Sequence, residues 1–140
     1  MAANLTNIGE EYVLKNDVRG SFSVLLYNDA TDGATDSFDI SNLTTEPTDG
    51  FYSRQSTSFT ASNPSGNWQI ANSSDLVFNV TDTTGSVDAY AIVANFTSAE
   101  AGDGSATDHI IVTGALSMTR DLTQIDTLTL SSGGVGFSIN

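Results

Sequence analysis

A chain of 140 residues, 39% of them hydrophobic, is long enough for one domain with one core and too apolar to stay disordered. Its net charge of −13 sets Lys15, Arg19, Arg54 and Arg120 against acids that are mostly Asp; such a surface repels phosphate, which argues against nucleic acid as a partner. The chain has no Cys, which excludes disulfides and thiolate zinc sites, and no apolar run long enough to span a bilayer. Met1-Ala2-Ala3-Asn4 lacks the basic and apolar regions of a signal peptide, so Sec export is not expected. Acidity of this degree also suits a protein kept soluble in saline surroundings.

Asn4–Gly20 is the one helical segment the pattern predicts. Leu5, Ile8 and Tyr12 share a face, Asn4 or Thr6 can cap it, and Gly20 ends it. Gly9 inside it weakens the helix. Such a segment is either an arm that docks on a neighbouring subunit or a lid over one open end of a sheet.

Ser21–Asn28 reads as a strand. Asp29–Asp49 is a long polar loop with five Asp, and Ser37–Leu43 is expected to form a short edge strand inside it. Phe51–Phe59 is the next predicted strand, followed by a turn at Asn63-Pro64-Ser65-Gly66. Trp68–Ala71 and Leu76–Val80 are short strands. Thr81–Gly85 turns the chain into Ser86–Phe96, which is apolar on both faces. Its β-branched and aromatic content and its flanking turns make it a strand, and the two apolar faces make it central in its sheet. His109–Met118 follows, with a bulge or close backbone approach expected at Gly114. Ile125–Leu130 and Val135–Ile139 are expected to pair through Ser131-Ser132-Gly133-Gly134.

The sum is an all-β chain: an antiparallel β-sandwich or jelly-roll-like fold of about eight strands with one short N-terminal helix, a single domain over residues 1–140. The expected core is Val24, Leu26, Phe78, Val80, Tyr90, Ile92, Val112, Leu128 and Phe137.

Residues for catalysis are scarce. The one His, His109, adjoins Asp108, but strand neighbours point to opposite faces, so they make no triad. No GxSxG elbow and no Gly-rich phosphate loop with Lys is present. No catalytic or cofactor-binding residue is assigned. Oxygen ligands that would suit calcium are grouped at Asp29, Asp32 and Asp36 and again at Asp103 and Asp108, without EF-hand spacing; solvated acidic loops are the competing reading. Trp68 fits either sugar stacking or a core or edge aromatic. Asn-x-Ser/Thr sequons at Asn4, Asn42, Asn72, Asn79 and Asn95 carry little weight without export. Arg54, alone among acids between Arg19 and Arg120, is expected to pair with a carboxylate and fix the acidic loop, against a solvated Arg on a strand face.

One ordered set of segments carries a resemblance. It runs from an N-terminal helix through Ser23-Val24-Leu25-Leu26-Tyr27, a long loop and Tyr52-Ser53-Arg54-Gln55. Gly85-Ser86-Val87-Asp88-Ala89-Tyr90-Ala91-Ile92, Gly114-Ala115-Leu116 and an aspartate-led hairpin, Asp126-Thr127-Leu128-Thr129-Leu130 to Val135-Gly136-Phe137-Ser138-Ile139, complete it. In this order the chain resembles a family of small tailed-phage virion proteins, often labelled tail fibre or head decoration proteins. It departs from them in its short link at Gly20 and its long acidic loop. The resemblance covers nearly the whole chain and implies a non-enzymatic β-sandwich of the virion. Its partners would be copies of itself, with a trimer as the expected state, and a major capsid protein or other virion proteins. A capsid decoration or cement subunit is the first reading. A tail or head fibre protein or a module binding host-surface glycans is the alternative.

Overall fold

A computed structural model describes residues 3–15, 21–62 and 68–139. The described residues are mostly β, with nine antiparallel strands and a few short helices. The predicted end of the N-terminal segment at Gly20, the turn at 63–66 and the Trp68 side chain lie outside the described residues.

Strand β6 (Ser86–Phe96) is central, paired with β2 (Ser21–Tyr27) on one edge and β7 (Thr107–Asp121) on the other. Its two apolar faces feed two cores. Tyr90, Ile92, Ala94 and Phe96 face the larger one, with Phe78, Val80 and Leu128. Ala89, Ala91 and Val93 face the smaller one, with Leu25, Tyr27, Phe38 and Ile110. All nine residues expected in the core are buried.

The main sheet has seven strands, in the order β1 (Ala3–Leu5), β7, β6, β2, β3 (Gln55–Ser62), β4 (Trp68–Asn72) and β9 (Gly136–Ile139). It curls until β1 lies beside β9, a nearly closed, barrel-like form. β5 (Leu76–Asn79) and β8 (Thr127–Leu130) make a separate two-stranded sheet over the larger core.

Helix α1 (Asn7–Lys15) is shorter than the segment expected from Asn4, because Ala3–Leu5 pairs with β7 as a strand. Thr6 caps it: its hydroxyl accepts from the Gly9 amide and donates to the Ile110 carbonyl. A Cβ on Gly9 would overlap the Ile111 carbonyl, so the helix seats on β7 only with glycine there. Intrinsic propensity alone would make Gly9→Ala stabilising by about 1 kcal/mol. The packing reverses the sign. Gly9→Ala is expected to lower the melting temperature, and a rise in it would show that α1 can lift off β7 without loss.

Four expectations need correction. Ser37–Leu43 forms no edge strand. The loop instead holds a short helix, α2 (Asp29–Asp32), and a 3-10 turn at Ile40–Asn42. Asp and Asn side chains bond the nearby backbone and outcompete a strand ladder: Asn28 accepts from Thr31, Asp88 from Asp29 and Ala30, and Asn42 from Asp39. β3 begins at Gln55 rather than Phe51, because Tyr52 and Arg54 are drawn toward Glu46. Gly114 marks no bulge; the register shifts lie at Ile92/Val93 and Val87/Ala89. Gly114 faces Tyr90, whose ring a Cβ there would strike. Finally, β8 and β9 do not pair with each other. β8 joins β5 and β9 joins β4. Buried Asn72 holds them apart, donating to the Ser131 carbonyl and accepting from the Val135 amide.

Candidate functional site

The most concentrated polar chemistry surrounds His109, on β7 and 4% exposed. The apolar run Ile110-Ile111-Val112 anchors that strand in the core and carries the imidazole inward with it. Asp39 reaches it from the long loop, with Oδ2 2.7 Å from Nδ1. Asp103 reaches it from the β6–β7 loop, with Oδ2 2.5 Å from Nε2. Phe96 packs edge-on against the ring at 5.4 Å. The far oxygen of Asp39 accepts from the Ile110 amide at 2.8 Å, and Asp103 accepts from the Ser98 amide at 3.1 Å. Three separate segments of chain therefore meet at one ring.

Burial pulls the imidazolium pKa down, but hydrogen bonds to Asp103 and Asp39 outweigh it and hold the pKa above the ordinary value. His109 in turn holds the Asp103 carboxyl below its usual range, with the Ser98 amide adding to it.

Thr107 Oγ1 lies 2.9 Å from His109 Nε2, so hydroxyl, imidazole and Asp39 line up like a hydrolytic relay. Asp103 spoils that arrangement. With a carboxylate on each nitrogen both positions are N–H donors, and the ring has no lone pair to take a proton from Thr107. The Thr107 hydroxyl instead donates to Asp103 at 3.2 Å. In this geometry His109 is a cationic rivet between two loops.

A second tie holds the same loop. Arg54 grips Glu46 with two parallel bonds, Nε to Oε2 at 2.9 Å and Nη2 to Oε1 at 2.8 Å. The Tyr52 hydroxyl donates to Glu46 at 2.9 Å and accepts from the Leu26 amide at 3.0 Å. Burial pushes the Tyr52 phenol up, and the Glu46 hydrogen bond pushes the Arg54 guanidinium up. The carboxylate pairing expected of Arg54 is present. Arg54→Ala is expected to cost about 1–3 kcal/mol and to speed proteolytic cleavage within residues 29–49. Unchanged melting and cleavage would show that the loop is held without Arg54, by His109 and its other hydrogen bonds.

The five calcium candidates lie apart, each with its own partners. Asp29 accepts from the Tyr27 hydroxyl and the Ala34 amide. Asp32 binds Thr44 and Thr45; burial opposes ionisation, but those bonds prevail and hold its carboxyl below the usual range. The exposed Asp36 offers its backbone carbonyl to the Asn7 amide. Asp103 is on His109, and Asp108 accepts from Asn95 with Arg54 3.6 Å away. Among the described residues no group of three or more His, Cys, Asp or Glu side chains is placed to hold a metal ion.

The sequence reading separates Asp108 from His109, and the structure agrees: the two side chains have different partners. It misses Asp39 and gives Asp103 only as a calcium candidate; the two are 70 and 6 residues from His109 in sequence. The available signal is the lone His ahead of Ile110-Ile111-Val112 in a chain rich in Asp, a cation that the core draws inward and that needs carboxylates.

No family model, curated protein or solved structure matches this chain.

Proposed function

We propose that the protein is a non-enzymatic structural subunit of a bacteriophage virion, a capsid decoration or cement protein seated on the exterior of the head. Its partners in this reading are copies of itself, as a trimer, and the major capsid protein. The observation that carries it is that the segments behind the phage resemblance bond to one another. The Tyr52 hydroxyl receives the Leu26 amide, joining Tyr52-Ser53-Arg54-Gln55 to the Ser23–Tyr27 segment. Gly114 of Gly114-Ala115-Leu116 makes room for Tyr90 of the central segment. Leu128 and Phe137 of the last segments share a core with both. Residues bonded in this way specify a scaffold, and rigid scaffolds with tied-down loops suit a particle surface. We also read the fold as a two-layer, jelly-roll-like sandwich, since the β5–β8 sheet covers one face of the main sheet.

Electron microscopy of purified particles carrying a labelled copy of this protein tests the reading. Label over heads is expected. Label confined to tails would replace it with the fibre role, and absence from particles would overturn both. The net charge of −13 pushes free copies apart, so sedimentation at low and high salt should give a trimer favoured by salt. A monomer at both that also fails to bind capsids lacking the protein would exclude the cement role.

A further inference from the structure

Among the described residues strand β8 pairs with β5 on one edge only, and residues of β8 and β7 line one groove without pairing. β7 is irregular at that place. Ala115 stands opposite Ala89 and Arg120 opposite Val87, so residues 116–119 have only Asp88 across from them. On its other edge β1 covers β7 only at residues 112–114. Between the two strands is a groove of about 500 Å³, with Tyr90 among its lining residues.

The β7 wall of this groove has an ordered chemistry. Leu116, Ser117, Met118 and Arg120 line it, and Leu116, Met118 and Arg120 stand two residues apart on one strand. Met118 is 60% exposed, one of three large apolar side chains left so among the described residues. Leu128 and Leu130 line the opposite wall. The Arg120 side chain makes no ion pair or hydrogen bond among the described residues, although the chain has 17 acids. The remaining described arginine, Arg54, is bound by Glu46. A row of two apolar side chains and a free guanidinium, beside an open strand edge, matches one kind of occupant.

We propose that this groove is a docking site for an extended strand of another protein, with apolar side chains over Leu116 and Met118 and a carboxylate on Arg120. The added strand takes its main-chain hydrogen bonds from the free edge of β8, and its alternate side chains meet the β7 row. Charge selects the partner. A second copy of this chain carries −13 overall and is repelled as a body, whereas a single carboxylate on a less acidic partner meets the guanidinium alone. The proposal goes beyond the virion reading and stands without it.

The test uses the full chain and the peptide acetyl-Val-Thr-Val-Thr-Asp-amide, followed by backbone amide NMR. Saturable shifts are expected at Thr127–Leu130 and at residues 116–120. Affinity should fall about tenfold when the peptide Asp is changed to Asn, and equally in Arg120→Gln. The Arg120→Gln protein should melt as the parent does. Arg120→Glu should reverse the preference toward a peptide ending in Lys. No shift at millimolar peptide, equal binding of the Asn peptide, or shifts outside the two strands would overturn the proposal. So would two other results: acetate alone binding as well as the peptide, which makes this a simple anion site, or self-association that Arg120→Gln weakens, which makes the occupant a second copy.

Discussion

Phe78→Ala is expected to destabilise the protein by about 3–5 kcal/mol, read from urea unfolding. Phe78 is fully buried, at 0% exposure, on β5 where the small sheet meets the larger core. Its ring stacks on Tyr52 at 6.0 Å with the planes 7° apart. Tyr52 also carries the Leu26 amide and Glu46, so the cavity opens beneath the residue that ties the acidic loop to β2. Relaxation into the cavity would disturb those bonds, which places the cost toward the upper part of the range. Val77 is the internal control. It is the preceding residue on the same strand, faces outward and is 52% exposed. Val77→Ala should change stability by no more than about 0.5 kcal/mol. Equal effects at the two positions would mean that β5 does not close the core.

The reach of the sequence follows from how local each determinant is. The bounds of β6 are readable because eleven residues without Gly or Pro sit between turn residues. Burial of Phe78 and Leu128 is readable because apolar alternation marks the inner face of a strand, whatever its partner. Partner choice is another matter. β8 and β9 follow one another around a Gly-rich turn, and Asn72 and Asp75, some sixty residues earlier, hold that turn while the strands join different sheets. The 3-10 turn at Ile40–Asn42 is hidden for a related reason. Its alternating polar pattern fits an edge strand, and the Asp39–Asn42 capping bonds decide against it. His109 shows the limit most clearly. Its neighbour in sequence, Asp108, is irrelevant to it, and the acids that matter arrive on loops that the fold alone brings together.

Alkaline pH should weaken the protein through His109. In the folded chain both ring nitrogens face carboxylates and the pKa is raised; in the unfolded chain it returns to about 6.5. The folded state therefore holds a proton that the unfolded state has released, and stability falls as pH rises. The contribution is complete below the unfolded value and is lost as pH climbs through the raised folded one. Within that window the slope approaches about 1.4 kcal/mol per pH unit for the single proton. Asp103 gives the opposite limb. Its carboxyl is lowered by the His109 hydrogen bond, so its contribution is present above the unfolded Asp value and fades as pH falls through the folded one. Tyr27, Tyr52 and Tyr90, each raised by burial, titrate above about pH 10 and stay outside the window. The measurement is the urea midpoint from pH 5 to 9 for the parent and for His109→Gln. The parent should lose stability toward pH 9, and the variant, with no imidazolium between Asp39 and Asp103, should start lower and stay flat. Because the chain has one His, its ring proton signal can be followed without assignment. An imidazole that titrates at or below 6.5, or a variant that keeps the parent's slope, would remove the rivet and leave Arg54 and Glu46 as the anchor of the acidic loop.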